Sequence, residues 1–163
     1  MKALKELVPY IVILIVVILI RSFLFTPIKV SGVSMADTLE GNEIMILWKP
    51  GEIKRYDIVV ADYIVNGEKI DRLIKRVYGL PGESIKCENG TLYINDHKIE
   101  DDYATNQTSD FDEVKLGEDE YFLLGDNRKV SKDSRIIGPI SRKNISGTTK
   151  FIIWPFKKFG NVE

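Results

Sequence analysis

From Val8 to Ile20 the chain is apolar at every position but for the ring hydroxyl of Tyr10, and Phe23-Leu24-Phe25 extend the run after Arg21-Ser22. Leu7 to Phe25 is 19 residues, roughly 28 Å of helix at about 1.5 Å per residue, against a hydrocarbon core about 30 Å thick. No polar stripe interrupts residues 11–20, so the segment does not read as a core helix. No A-x-A-like site follows it, which speaks against a cleaved leader. The pattern therefore predicts one uncleaved membrane-spanning helix. Pro9 falls in its first turn, where the missing N–H is harmless, and Arg21 can snorkel to the headgroups. Lys2, Lys5 and the amino terminus precede the segment and favour a cytoplasmic N-terminus with the remainder outside. The expected division is residues 1–25 as tip and anchor and residues 26–163 as one extracytoplasmic domain.

Beyond the anchor the period changes to two. Short strands are predicted at Ile28–Val30, Glu43–Trp48, Asp57–Ile64 and Lys69–Val77, with Asn66-Gly67 as the hairpin turn between the last two. Leu80-Pro81-Gly82 is a firm turn. Ser84–Cys87, Leu92–Ile94 and His97–Ile99 form a hairpin ladder punctuated by Asn89-Gly90 and Asn95-Asp96, and residues 101–112 are expected to form a mobile polar loop. Glu120–Leu124 delivers Gly125-Asp126, and Gly147–Trp154 is the last strand, stopped by Pro155. No long stretch after the anchor has a helical period. The expected class is mainly β.

The 163 residues suffice for one domain plus the anchor, and the formal net charge of −1 offers no basic field for nucleic acid. The lone Cys87 permits no internal disulfide, and the lone His97 leaves no His/Cys cluster for zinc. No cofactor is implied. A Ser-His-Asp triad is disfavoured, because His97 sits in a polar turn.

Ser34, in Ser31-Gly32-Val33-Ser34-Met35, lies where the chain leaves the anchor, and Gly32 permits a bend that exposes its hydroxyl and N–H. A serine needs a base. Lysine serves only when neutral, and from a free pKa of about 10.4 this requires a depression of about 3, or about 4 kcal/mol. Burial can supply it. Lys75 has the setting: Leu73, Ile74 and Val77 flank it, and strand alternation turns it inward with Leu73 and Val77 while Arg76 faces the other side. A third block, Gly125 to Arg135, alternates Asp126, Arg128, Asp133 and Arg135 around Ser131. On spacing alone each feature has an ordinary reading: Lys75 a solvated strand lysine, Ser34 a turn hydroxyl, the third block a solvated turn with ion pairs of little worth.

Together the blocks resemble bacterial type I signal peptidases, the serine–lysine leader peptidases, over nearly the whole chain. Ser31–Leu39 resembles the nucleophile box, Lys54–Val60 the Arg-Gly-Asp-Ile-Val-Val strand, and Ile74–Glu83 the lysine box. Gly125–Arg135 with Gly138 resembles the Gly-Asp-Asn-Arg box, and Ile152–Phe156 the C-terminal end. The resemblance implies a coiled, partly barrel-like β domain set against the membrane and cleavage of secreted preproteins after small residues at −3 and −1. It implies Ser34 as nucleophile, Lys75 as general base, and Ser131 as the residue that orients the lysine. Asp126 falls where an acidic residue is needed, and Asp133, Arg135 and Arg76 where the family has a salt-bridge cluster. It places Val30, Met35, Leu39, Leu73 and Ile74 at the −1 side chain and Ile28, Ile44 and Val60 near −3. The secretion translocon and the lipid bilayer are the further partners it suggests.

Several positions depart from the family pattern. Asp37 stands for proline, Tyr56 for glycine and Glu83 for aspartate, and Gly32 occupies the place of a hydroxyl that some members aim at the oxyanion. The short gap from Lys75 to Gly125 matches the short Gram-positive form. Two other readings compete: a catalytically silent relative that scaffolds secreted or surface proteins such as pilus subunits, motivated by Asp37 and Tyr56, and a self-cleaving repressor-type protease. The anchor and the lack of a DNA-binding segment oppose the second; the presence of Ser34, Lys75 and Ser131 together opposes the first.

Overall fold

The computed structural model describes residues 2–162, with side chains described from Glu6 onward, Phe23 excepted. The apolar N-terminal run forms helix α1 (Lys2–Phe23). Its side chains from Glu6 to Ser22 are exposed, the aliphatic ones on every side. Among the described residues no helix is long and apolar enough to cross a membrane.

Strand β1 (Phe25–Lys29) follows at once, then β2 (Ile44–Trp48), β3 (Ile58–Val65) and β4 (Glu68–Gly79). Next come β5 (Ser84–Glu88), β6 (Thr91–Ile94), β7 (His97–Lys98), β8 (Phe111–Lys115) and β9 (Glu120–Leu124). The chain ends through helix α2 (Ser134–Ile137), β10 (Ile140–Ser141), β11 (Ile145–Trp154) and β12 (Gly160–Asn161). The mainly β expectation holds. The four-residue α2, capped by Asp133, was not foreseen because one turn leaves no periodic signal.

Two antiparallel sheets result. The larger runs β1-β2-β11-β3-β4-β9-β10, with β12 on β11; the smaller runs β7-β6-β5-β8. The predicted Asn66-Gly67 turn closes the β3–β4 hairpin with both residues in the left-handed region, φ 52° and 82°, as a tight primed turn demands. Four antiparallel steps separate β1 from β4, so these two strands run the same way. Strand β9 pairs with β4 only at Arg76–Gly79, which among the described residues leaves the edge of β4 before Arg76 without a ladder partner on that side. Beneath the segment after β1, Val30, Met35, Leu39, Met45, Ile58 and Ile152 form one apolar cluster.

Residues 101–112, expected as a mobile loop, are instead tied to the body, and the last two of them belong to β8. Asp101 accepts two bonds from Arg128 (2.6 and 2.8 Å), one from Tyr78 Oη (2.6 Å) and one from Thr108 (2.9 Å). Asp110 accepts from the Asn89 and Gly90 N–H groups. Polar composition suggested a solvated loop; apart from the Thr108–Asp101 bond within it, these polar groups anchor it to partners 20 or more residues away.

Candidate active site

Ser34 opens a turn over residues 34–38 that lies beside Lys75 of β4. Its carbonyl accepts from Asn127 N–H at 3.1 Å, which fixes the turn against the third block. Glu43 holds the segment behind it by accepting from the Glu40, Gly41 and Asn42 N–H groups and from Lys158. Burial alone would raise the Glu43 pKa; the Lys158 amine and the backbone donors outweigh it and bring it to about 2.

Lys75 is 3 % exposed on β4, and its Nζ lies 2.6 Å from Ser34 Oγ and 2.9 Å from the Ile74 carbonyl. Alternation has turned it inward with Leu73 and Val77, as expected. Burial lowers its pKa from 10.5 to about 8, against the upward pull of Asp133, Asp71 and Asp126. At pH 7.5 this leaves roughly one amine in four neutral, against about one in a thousand for a free lysine.

Arg76 does face the other side, but that side is also buried. Its Nε and Nη2 donate to both Asp126 oxygens at 3.0 and 2.8 Å, with exposures of 4 % and 0 % for the two side chains. Asp126 Oδ2 also accepts from Thr38 Oγ1 at 2.6 Å. One carboxylate thus ties the strand of Lys75 to the segment of Ser34. The expected cluster of Asp133, Arg135 and Arg76 divides accordingly: Arg135 pairs with Asp133, and Arg76 pairs with Asp126. Asp133 further accepts from Gly125 N–H and caps α2. Arg128 joins Asp101. The third block is therefore no solvated turn; Asp126, Arg128, Ser131 and Asp133 are all buried.

Ser131 lies near Ser34, against the Gly125 backbone. Among the described residues its buried Oγ has no hydrogen-bond partner, so the expected bond to Lys75 is not formed here. A Cβ on Gly125 would collide with this hydroxyl and with the Ser34 carbonyl, which explains glycine at that position. Gly32 has φ 82°, consistent with the expected bend.

The dyad opens into a cleft of about 350 Å³ between Ile28–Met35 and Asp71–Lys75, with Val60, Val130 and Lys132 completing its wall. Ile28, Val30, Met35, Val60, Leu73 and Ile74 line it as expected. Leu39 and Ile44 do not: Leu39 is wholly buried in the cluster beneath, and Ile44 is paired between Lys29 and Trp154. Sequence reasoning missed Val33, Asp71, Arg72, Val130 and Lys132, which no periodic signal distinguishes. Asp37 is exposed and lines a separate depression with Lys158 and Asn161, so its charge does not enter the cleft. Tyr56 keeps the left-handed backbone, φ 69°, that a glycine would adopt. Glu83 stabilises the Leu80–Gly82 turn through Leu80 N–H and Arg55.

A buried amine on a serine hydroxyl, in a cleft between two strand edges, has the form of a serine–lysine hydrolase. The family described as signal peptidase, peptidase S26, matches residues 4–154. Signal peptidase I of Bacillus licheniformis is 39 % identical, with 96 % of this chain and 92 % of that one aligned. Signal peptidase I T of Bacillus subtilis is 41 % identical, with 86 % and 80 % aligned. The crystal structure of a signal peptidase I from Enterococcus faecalis superimposes with a TM-score of 0.52 at 32 % identity, covering 60 % of this chain and 97 % of that one. The chain belongs to the signal peptidase family, peptidase S26, and is a serine endopeptidase.

Proposed function

We propose that this chain removes signal peptides from secreted preproteins with Ser34 as nucleophile and Lys75 as general base. The observation that carries the assignment is the 2.6 Å approach of the buried Lys75 amine to Ser34 Oγ. The neutral amine takes the hydroxyl proton as Oγ attacks the scissile carbonyl, and the Ser34 N–H is the available donor to the developing oxyanion. The resulting ammonium protonates the leaving amine. Water then attacks the acyl-enzyme, again with Lys75 as base. Asp126, Arg76, Asp133 and Arg135 hold the two carrying segments in register, and Ser131 closes the site beside Gly125.

The preprotein lies extended in the cleft, parallel to β1 and to the unpaired edge of β4, so that main-chain bonds to both edges fix it. Ile28, Val30, Met35, Val60, Leu73 and Ile74 make a shallow apolar floor that accepts small side chains at −1 and −3. Helix α1 anchors the chain in the bilayer, supported by its apolar exposure on every side. Residues 1–25 are tip and anchor, with the N-terminus cytoplasmic; residues 26–163 are the extracytoplasmic domain and meet preproteins as the secretion translocon delivers them.

A preprotein with an A-x-A site, incubated with the detergent-solubilised full chain, should be cut after the −1 alanine. Replacing that alanine by phenylalanine should lower kcat/KM about 10–100-fold, the usual cost of overfilling a packed apolar site. Equal rates for alanine and phenylalanine would remove the small-pocket account. Failure to cut any of several leaders would favour the scaffold reading.

A further inference from the structure

Behind the dyad, the Arg76 guanidinium has one face left over after its hydrogen bonds are made. Its edge is engaged by Asp126 and by the Tyr56 carbonyl (3.0 Å from Nη1). The ring of Tyr103 lies over Cζ with the centroid 3.7 Å away. Tyr56 packs against the same ring at 5.3 Å and against Tyr78 at 5.5 Å, edge-on. The segment that carries Tyr103 is fastened on both sides: Asp101 to Arg128, Thr105 N–H to the Asp126 carbonyl at 3.0 Å, and Asn106 Nδ2 to Asn127 Oδ1 at 3.2 Å. Asn127 N–H in turn holds the Ser34 carbonyl.

We propose that Tyr103 is a positioning residue for the Ser34–Lys75 pair, its ring acting as a lid that keeps the Arg76–Asp126–Thr38 bridge dry and rigid. The proposal rests on the dyad reading. Its physical basis is that an ion pair constrains geometry in proportion to how well water is kept from it, and an aromatic face both excludes water and attracts the guanidinium. Arg76 is bonded through the chain to Lys75, and Thr38 lies four residues from Ser34; play in the bridge is therefore play in the distance between amine and hydroxyl. The same packing accounts for a tyrosine at position 56 despite its left-handed backbone, since its ring backs Tyr103. The Tyr103 hydroxyl plays no part in this scheme; the ring face does.

The test is steady-state cleavage of the A-x-A preprotein by the detergent-solubilised full chain, at a temperature where circular dichroism shows each variant folded. Tyr103→Leu should lower kcat at least about tenfold with KM changed less than about twofold, because the substrate groove is untouched while the dyad is loosened. Tyr103→Phe should retain wild-type kcat. Tyr93→Leu removes a ring that Lys86 overlies at 5.6 Å in the smaller sheet and should leave both constants unchanged. Should Tyr103→Leu fail to fold, Tyr103→Met fills similar volume without a ring face and carries the same expectation. A Leu or Met variant with wild-type kcat, whatever its melting temperature, overturns the proposal and leaves Tyr103 a merely structural residue. A Phe variant as slow as Leu overturns it in favour of the hydroxyl. Cleavage retained in Ser34→Ala would overturn the dyad reading itself, a result distinguishable from either.

Discussion

Lys75→Met is expected to lower kcat/KM for preprotein cleavage by about a thousandfold or more while raising the melting temperature at pH 6. The first effect follows from losing the base that makes Ser34 a nucleophile. The second follows from linkage. The folded pKa of about 8 lies below the free value of 10.5, so between these values the unfolded chain holds more protons and stability rises with pH. Below about pH 8 the buried amine is charged, and its desolvation cost is present in full. That cost is relieved as pH climbs through 8 towards 10.5. At about 1.36 kcal/mol per pH unit, the penalty removed by methionine at pH 6 is on the order of 3 kcal/mol, and it should shrink by pH 10. Thermal melts of the full chain in detergent, with cleavage assays beside them, check both signs. A Lys75→Met variant that is inactive and also less stable at pH 6 would mean that the charged amine is net stabilised by its partners, so that burial does not depress its pKa, against the account.

Asp126→Ala is expected to cost about 3–5 kcal/mol, because it strands the buried Arg76 guanidinium without a counter-charge. For a chain of this size that is a fall of roughly 10–15 °C in melting temperature. The comparison is Asp62→Ala. Asp62 pairs with Lys69 and Arg72, whose side chains are 42 % and 53 % exposed, and its loss should cost no more than about 1 kcal/mol. Cleavage by Asp126→Ala, assayed where it remains folded, should also fall, since Thr38 loses its acceptor and the Ser34 segment its tie to β4. Equal melting temperatures for the two variants would show that the buried pair carries no more than a surface one.

Most of the longer strands and their turns were legible in the sequence because two-residue alternation and the Asn-Gly steps act locally; β8, which starts inside the expected loop, and the two-residue β10 and β12, the latter beyond the expected last strand, were not. Ser34, Lys75 and the third block were legible as blocks; alternation allowed Lys75 an inward place, but on spacing alone it also read as a solvated strand lysine, and the family resemblance decided between the two. What the sequence did not show depends on separations no local pattern spans. Asp101 reaches Arg128 across 27 residues and Thr38 reaches Asp126 across 88, so a structured segment read as a loose loop. Arg76 was assigned to the Asp133–Arg135 cluster because charges were matched by motif, whereas the sheet brings Asp126 to it first. Leu39 and Ile44 were placed in the groove by the family resemblance. Packing sends the Leu39 side chain into the core and pairs Ile44 between neighbouring strands. The unbroken apolar run at the N-terminus forms a helix as expected, and its exposed apolar surface is the ground for the proposed anchor.

The central claim is that a lysine kept neutral by burial activates Ser34, and the pH dependence of kcat/KM between pH 5 and 10 tests it most directly. With Lys75 near 8, the rate should rise about tenfold per pH unit on the acidic side and level off above about pH 8. Ser34→Ala should be inactive throughout. A profile that is flat from pH 5 to 9, as a carboxylate base titrating near pH 4 would give, would contradict the account.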